Sequence, residues 1–118
     1  MGAPDPACIF CQIVAGALPS EQAYADDQVI AIQDLNPQAP VHLLVIPRRH
    51  VSGAADLDAT DAALVGHMVA TANAVASARG LTARGYRLVI NQGTHGGQTV
   101  GHLHMHLLGG RQMQWPPG

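Results

Sequence analysis

The chain has 118 residues, of which 47% are hydrophobic and 12% charged, and its formal net charge is -2. This length predicts one domain over residues 1–118, with a single core. A nucleic-acid-binding protein would show clustered Lys and Arg on a basic balance, and a membrane-spanning helix would need about 20 consecutive apolar residues. The sequence shows neither pattern and no recognisable signal peptide. We therefore expect a cytoplasmic protein that binds neither nucleic acid nor membrane.

The N-terminal segment CIFCQIVAG predicts a short helix that ends at Gly16. A helix of this length is not stable alone, so it is expected to dock on the rest of the chain through Ile9, Phe10 and Ile13. Its two cysteines form a C-x-x-C motif. In an intracellular chain this spacing favours metal binding or redox chemistry over a structural disulfide, and the βαβ context of a thioredoxin-like site is not seen.

Strands are predicted on both sides of one long helix. The segment QAYADDQVIAIQDL has two β-prone runs around Asp26 and Asp27, which predicts a hairpin. VHLLVIPRRH predicts a buried strand that stops at Pro47, because proline cannot donate to a central ladder. Residues 58–79 repeat apolar side chains at helical spacing, with Gly80 placed as a C-cap. Two more strands, YRLVIN and GHLHMHLLG, complete an α+β protein with a mostly antiparallel sheet.

Three of the seven histidines stand at alternate positions in the last predicted strand: His102, His104 and His106, which we call the histidine row. Successive side chains of a strand face opposite ways, so the three histidines share one face. The apolar residues between them form the other face and fix it as the core side. The histidine face is then either solvent-exposed or part of an active cleft.

The histidine row admits three interpretations: a surface strand whose polar residues happen to be His, a three-histidine metal site, or a separate function for each residue. Histidine is uncommon, so three in register by chance are improbable. Positions i, i+2 and i+4 of a strand spread along ~13 Å, whereas zinc-bound nitrogens lie about 2.0–2.1 Å from the ion. One zinc can easily take two of them but not all three, which favours separate functions.

The stretch HLHMHLL resembles the signature of the histidine triad (HIT) superfamily of nucleotidyl hydrolases and transferases. The segments DLNPQAPVHLLVIPRRHVS and YRLVINQGTHGGQTVGHLHMHLLGGRQM, with the terminal WPPG, are similar to its Hint branch, the nucleoside phosphoramidases. The resemblance runs from Cys8 to Gly118. It implies the HIT fold: a five-stranded, mostly antiparallel sheet, one long helix and a short N-terminal helix, pairing into a ten-stranded sheet in a homodimer.

The resemblance implies an enzyme that cleaves the P–N bond of purine nucleoside 5'-phosphoramidates of the AMP-NH2 or AMP-lysine type. His104 would be the nucleophile and form a nucleotidyl-histidine, His106 would contact a phosphate oxygen and His102 would support the site. Thr99 would contact phosphate near the leaving group, and no cofactor would be required for catalysis. Two alternatives stay open: a dinucleoside polyphosphate (Ap4A-type) hydrolase, and a zinc- or nucleotide-binding interaction module with weak catalysis.

The nucleotide-binding residues are implied by the same resemblance. Asp34 would accept hydrogen bonds from the ribose hydroxyls, and Trp115 would contact the leaving group across the dimer. Hint relatives commonly have an aromatic residue and a His where this chain has Ile32 and Gln33, Ser at the position of Thr99, and His before the tryptophan, where this chain has Gln114. The implied set is Ile9, Phe10, Ile13, Leu18, Ile32, Asp34, Leu35, Asn91, Gln98, Thr99 and Trp115.

A structural zinc site is implied by resemblance to bacterial-type HIT proteins. Its ligands would be Cys8, Cys11, His50 and His102, and two cysteines with two histidines suit tetrahedral zinc. The alternative is a pair of reduced, partly buried thiols beside two hydrogen-bonded histidines. The other histidines have no triad role and are interpreted as strand, helix and loop residues: His42, His67 and His95.

Overall fold

A computed structural model describes residues 5–118. The strands form one sheet in the order β1-β2-β3-β5-β4, and every neighbouring pair is antiparallel. This confirms the predicted α+β class. Within residues 5–118, no helix combines the length and apolar character needed to cross a bilayer. The elements are α1 (Ile9–Val14), β1 (Gln22–Ala25), β2 (Val29–Gln33), β3 (Val41–Pro47), α2 (Ala62–Ala78), β4 (Tyr86–Val89) and β5 (Met105–Gly109).

The sheet buries a hydrophobic cluster on each face. The alternation of β3 shows the division, because Leu43 and Val45 pack towards α2 while Leu44 and Ile46 pack towards α1. On the α1 side Phe10 completes the second cluster and is 6% exposed. A helix of only six residues therefore covers part of the sheet face that carries the histidines. That part of the face is shielded from solvent.

The long helix begins later than its sequence pattern predicts. Residues 59–61 form a 3-10 turn, and α2 begins at Ala62. The side chain of Asp58 accepts from the Thr60 backbone N–H at 2.8 Å, and Asp61 accepts from the Asp58 N–H at 3.0 Å. The two acidic residues therefore cap the turn, as a capping box, rather than the helix itself. At the other end Gly80 has φ +73, which confirms the predicted C-cap.

The last strand is shorter than predicted, since β5 begins only at Met105. Val45 pairs with Met105, so extending the ladder would place Pro47 opposite Leu103. Proline has no N–H to donate, and the Leu103 N–H instead donates to the Val51 carbonyl at 2.6 Å. The prediction that the whole histidine row lies within a strand was wrong. The alternation nevertheless persists, because Leu103 and Met105 both join the α2-side core.

Candidate active site

His104 lies beneath α1, in the segment that leads into β5. Its Nδ1 is 2.7 Å from the backbone carbonyl oxygen of His102. A carbonyl oxygen only accepts, so Nδ1 carries the proton and Nε2 of the neutral ring holds a lone pair. The Phe10 ring packs edge-on against the imidazole, with the centroids 5.1 Å apart. The ring is thus held in one tautomer and one orientation, as a nucleophilic imidazole requires.

His106 is oriented by His42, a residue without a predicted role in the site. Nδ1 of His42 accepts from the Gln38 backbone N–H at 3.0 Å, so the proton of neutral His42 is on Nε2. That Nε2 lies 2.9 Å from Nδ1 of His106 and donates to it. His106 consequently carries its own proton on Nε2. A backbone N–H therefore sets the tautomers of both imidazoles.

His42 lies in a strand, as predicted, but its contact with the histidine row was not predicted. In β3 it shares a face with Leu44, and Leu44 pairs with His106 across the ladder, so the two imidazoles are diagonal neighbours. His42 is 3% exposed. A polar side chain in a strand predicted to be buried needs a hydrogen-bond partner. This requirement could have indicated from the sequence that His42 contacts another polar residue.

Burial determines the charge of the site. It lowers the pKa of His42 and of His102 below the ordinary value for histidine. The pKa of His106 falls to about 4, first because of burial and then because His104 and His42 lie beside it. At neutral pH His106 is therefore an uncharged hydrogen-bond donor rather than a cation.

We expect the protein to lose stability on acidification. An unfolded histidine binds a proton near pH ~6.5, whereas folded His106 does so only near pH 4. Between these two pH values the unfolded state binds more protons than the folded state, so the free energy of unfolding falls as the pH falls. Above about pH 6.5 this histidine no longer makes the free energy of unfolding depend on pH. After allowance for partial exposure, His106 contributes about 1–2 kcal/mol to this loss.

Denaturant unfolding at about pH 7 and about pH 4.5 measures the effect. The variant His106→Asn should show a smaller loss of stability between the two conditions. The variant His95→Ala, in an exposed part of the loop, should match the original protein. An undiminished loss in His106→Asn would contradict the assignment.

Most of the predicted nucleotide-binding residues meet around one space. His104 and His106 line a cavity of about 240 Å³, which we call the His104 cavity. Leu18 does not line it, although Pro19 and Ser20 beside it do. Asn91 lines a neighbouring cavity instead. The predicted residues that line the His104 cavity are Ile9, Phe10, Ile13, Ile32, Asp34, Leu35 and Thr99.

Two further predicted residues lie elsewhere. The amide of Gln98 holds its own loop, since Nε2 donates to the Ser52 and Val100 carbonyls at 2.8 and 3.0 Å, and Oε1 accepts from the Gly93 N–H at 2.9 Å. The structure shows Gln98 holding its own loop, and its implied contact with the nucleotide stays a prediction. Trp115 is 82% exposed in the C-terminal segment, and its contact across a dimer stays a prediction.

The two cysteines lie close to His50 and His102, as the resemblance implied. Cys11 Sγ is 3.1 Å from His50 Nδ1, Cys8 Sγ is 3.3 Å from His102 Nδ1, and the two Nδ1 atoms are 3.2 Å apart. All four ligand atoms lie within 4.8 Å of one another. A tetrahedral zinc site places sulfur and nitrogen about 3.6 Å apart and two nitrogens about 3.3 Å apart. The donor set therefore fits zinc in both chemistry and spacing.

Hydrogen bonds prepare this cluster for a cation. His102 donates from Nε2 to the Pro47 carbonyl at 2.8 Å, which leaves Nδ1 as the lone-pair atom facing the sulfurs. The Cys11 backbone N–H donates to Cys8 Sγ at 3.3 Å. Burial raises the pKa of the Cys8 thiol, and a coordinated cation would offset this by favouring the thiolate. Such a cation would join α1 to the residues after β3 and before β5.

A second group of possible ligands, Asp34, His42 and His106, also lies within 4.8 Å, but its protons are in the wrong places for a metal. Nε2 of His42 carries the proton because Nδ1 accepts from a backbone N–H. Binding a cation at Nε2 would force a proton onto Nδ1, against that N–H. His42 and His106 therefore form a hydrogen-bonded pair, and the cysteine cluster is the candidate metal centre.

Comparisons with known proteins identify the family of this fold. The HIT domain family model matches residues 15–113. An uncharacterized HIT-like protein of Synechococcus elongatus is 50% identical over 110 residues, which cover 93% of this chain and 96% of that protein. The crystal structure of a HIT family hydrolase from Legionella pneumophila superposes with a TM-score of 0.93 at 46% identity, covering 94% of this chain and 99% of that one.

A zinc-bound histidine triad family protein from Mycobacterium smegmatis has a TM-score of 0.77 at 33% identity, covering 89% of this chain and 76% of that one. The fold and the histidine row define a histidine triad protein. The chain belongs to the HIT domain family, and the predicted HIT fold is confirmed.

Proposed function

We propose that this protein is a nucleoside phosphoramidase that uses His104 as its nucleophile. The observation that carries the proposal is the hydrogen bond from His104 Nδ1 to the His102 carbonyl. It leaves an unprotonated Nε2 on a ring that lines the same cavity as Asp34 and Thr99. The hydrolase relative from Legionella pneumophila supports an enzymatic function for the family fold.

The proposed reaction has two displacements at phosphorus. The Nε2 lone pair of His104 attacks the phosphorus of a purine nucleoside 5'-phosphoramidate, an N–P bond forms, and the original P–N bond breaks. The leaving nitrogen departs as an amine with a proton from solvent. Water then attacks the nucleotidyl-histidine, releases the nucleoside monophosphate and restores the neutral imidazole.

Neighbouring side chains would stabilise the phosphoryl group. The Nε2–H of His106 is positioned by His42 and would donate to a phosphoryl oxygen, where negative charge develops. Thr99 is exposed at the end of the loop that precedes His104 and lines the same cavity, so its hydroxyl would donate near the leaving group. The neutral state of His106 means that this contact relies on hydrogen-bond geometry rather than on charge.

The nucleoside would occupy the remainder of the His104 cavity. Asp34 already accepts from the Asn36 backbone N–H through Oδ1 at 2.8 Å, which fixes its carboxylate and leaves acceptor capacity for ribose hydroxyls. Ile9, Ile13 and Ile32 would form an aliphatic slot for the purine base. The aromatic stacking partner common among Hint relatives is replaced here by Ile32, so base binding would depend on apolar burial.

We further propose a structural zinc at the cysteine cluster and a cytoplasmic homodimer. The fit of the four ligand atoms and the zinc-bound relative from Mycobacterium smegmatis support zinc. Strands β1 and β4 are the two edges of the sheet, and pairing of an edge with its counterpart in a second copy would make a sheet of ten strands. Zinc would hold α1 over the site, and catalysis would need no cofactor.

Turnover of adenosine 5'-phosphoramidate, compared with diadenosine polyphosphates, tests the proposed reaction. We expect kcat/KM to be at least about tenfold higher for the phosphoramidate. Its leaving group is a small amine, which needs no binding site for a second nucleotide. A reversed preference would favour the dinucleoside polyphosphate hydrolase. Nucleotide binding with no turnover of either compound would favour the interaction module.

A further inference from the structure

The N-terminal helix α1 is tied to the rest of the protein by its two cysteines. In the described part of the chain, every polar contact from residues 5–18 to residues outside that segment passes through Cys8 or Cys11. Their partners are the imidazoles of His50 and His102. The other hydrogen bonds of the segment are internal to it. Apart from hydrophobic packing, two sulfur atoms therefore hold α1 on the sheet.

The position of α1 determines one wall of the His104 cavity. Ile9, Phe10 and Ile13 line that cavity, and the Phe10 ring packs edge-on against His104 with the centroids 5.1 Å apart. A helix of six residues is not stable without contacts to the rest of the protein. Loss of the sulfur contacts would therefore loosen α1 and, with it, this wall of the cavity.

The two cysteines are also arranged to form a bond with each other. Cys8 is the N-cap of α1, and the Cys11 backbone N–H, one turn later, donates to Cys8 Sγ at 3.3 Å. The two sulfurs lie 3.3 and 3.6 Å from the same atom, Nδ1 of His102. A C-x-x-C motif at the start of a helix is typical of redox-active disulfides. Both thiols are free, and the sequence contains no third cysteine.

A small oxidant has a short path to these sulfurs. Both cysteines are buried, but the residue above Cys11 is Asp5, whose backbone N–H lies 3.5 Å from Cys11 Sγ and which is itself exposed. One layer of chain therefore separates the sulfur from solvent. A local opening of this layer would admit a molecule as small as hydrogen peroxide.

We propose that Cys8 and Cys11 are an oxidation site whose disulfide releases α1 from the sheet. The oxidant is a hydroperoxide: the Cys8 sulfur attacks one peroxide oxygen, the O–O bond breaks, and a sulfenic acid and one water form. The Cys11 sulfur then attacks the Cys8 sulfur, the S–O bond breaks, and a second water leaves with the remaining thiol proton. Two thiols are thus oxidised to one disulfide, and hydrogen peroxide is reduced to two waters.

The disulfide would undo the contacts that hold the helix. Its sulfurs have no hydrogen to donate to His50 or His102 and no negative charge to bind a cation. The proposed zinc would keep only two of its four ligands. The inference depends on the cysteine cluster and not on the phosphoramidase reaction, and it applies to the protein with or without bound zinc.

Intact mass and backbone hydrogen exchange, measured before and after treatment with hydrogen peroxide, test the proposal. The disulfide should lower the mass by about 2 Da, for the two hydrogens lost, and join Cys8 to Cys11 in one peptide. Exchange at the amides of Gln12, Ala15 and Ala17, whose hydrogen bonds close α1 and its last turn, should become at least about tenfold faster. Dithiothreitol should reverse both changes, and any zinc bound beforehand should be released as the disulfide forms.

The variant Cys8→Ser/Cys11→Ser is the matched control, because peroxide can still oxidise its four methionines but not the cysteine pair. Its exchange at the same amides should not respond to peroxide. Oxygen added to the cysteines without a disulfide would overturn the proposal. A disulfide that leaves exchange in α1 unchanged would overturn it as well. None of these measurements requires turnover, so a failure of the proposed reaction would not affect their outcome.

Discussion

Replacing His104 by alanine is expected to lower kcat/KM for adenosine 5'-phosphoramidate by at least about 10³-fold. The imidazole is held in a single tautomer by the His102 carbonyl and packs against Phe10, so its lone pair is aimed before substrate arrives. Without the imidazole, the N–P bond of the first displacement cannot form. A water molecule would have to attack instead, and nothing orients it as the imidazole is oriented. Steady-state kinetics with purified protein measures the loss.

The matched control for this variant is His95→Ala, which removes an exposed histidine in the loop that precedes His102. Its kcat/KM should stay within about twofold of the original. A His104→Ala protein that folds, as shown by an unchanged circular dichroism spectrum, and still turns over substrate at the control rate would exclude His104 as the nucleophile.

Zinc removal is expected to have the largest effect on stability. At a free zinc concentration about 1,000-fold above Kd, binding to the folded state alone stabilises it by about 4.1 kcal/mol. For a chain of this length, chelation should then lower Tm by roughly 12–20 °C. The reason is geometric, because a zinc bound by the four residues would tie α1 to the segments that follow β3 and precede β5. Differential scanning calorimetry with and without chelator measures the shift.

The variant Cys8→Ser/Cys11→Ser is designed to lose the metal but keep the fold. Cys8 is the N-cap of α1, and serine is a favourable N-cap, so the helix start is preserved. We expect about one zinc per chain in the original protein and almost none in this variant. His42→Ala, which removes a member of the second ligand group, should keep its zinc. An original protein free of zinc when purified without chelator would contradict the structural zinc.

The fold was predictable from the sequence where local and global signals agreed. The buried run ending at Pro47 and the glycine at position 80 marked the ends of β3 and α2 correctly. The start of α2 was predicted too early because an acidic capping box closes a 3-10 turn as well as a helix. The start of β5 was predicted wrongly for a different reason. The ladder ends before Leu103 because Pro47 would lie opposite it, and the register that brings these two residues together is a tertiary property.

The candidate site was predictable to the extent that it lies in contiguous motifs. The C-x-x-C motif and the histidine row identified the cysteine cluster and His104 by resemblance. His42 was missed because it is 64 residues from His106 in the chain and meets it only through the β3–β5 register.

The most direct test of the account is whether a nucleotidyl group forms on His104. The protein is mixed with adenosine 5'-phosphoramidate, quenched in alkali during turnover, digested and examined by mass spectrometry. We expect one adenylyl group on the peptide that contains His104, and none in the His104→Ala variant. An adduct on another residue, or steady turnover with no adduct at any time after mixing, would contradict a mechanism through His104.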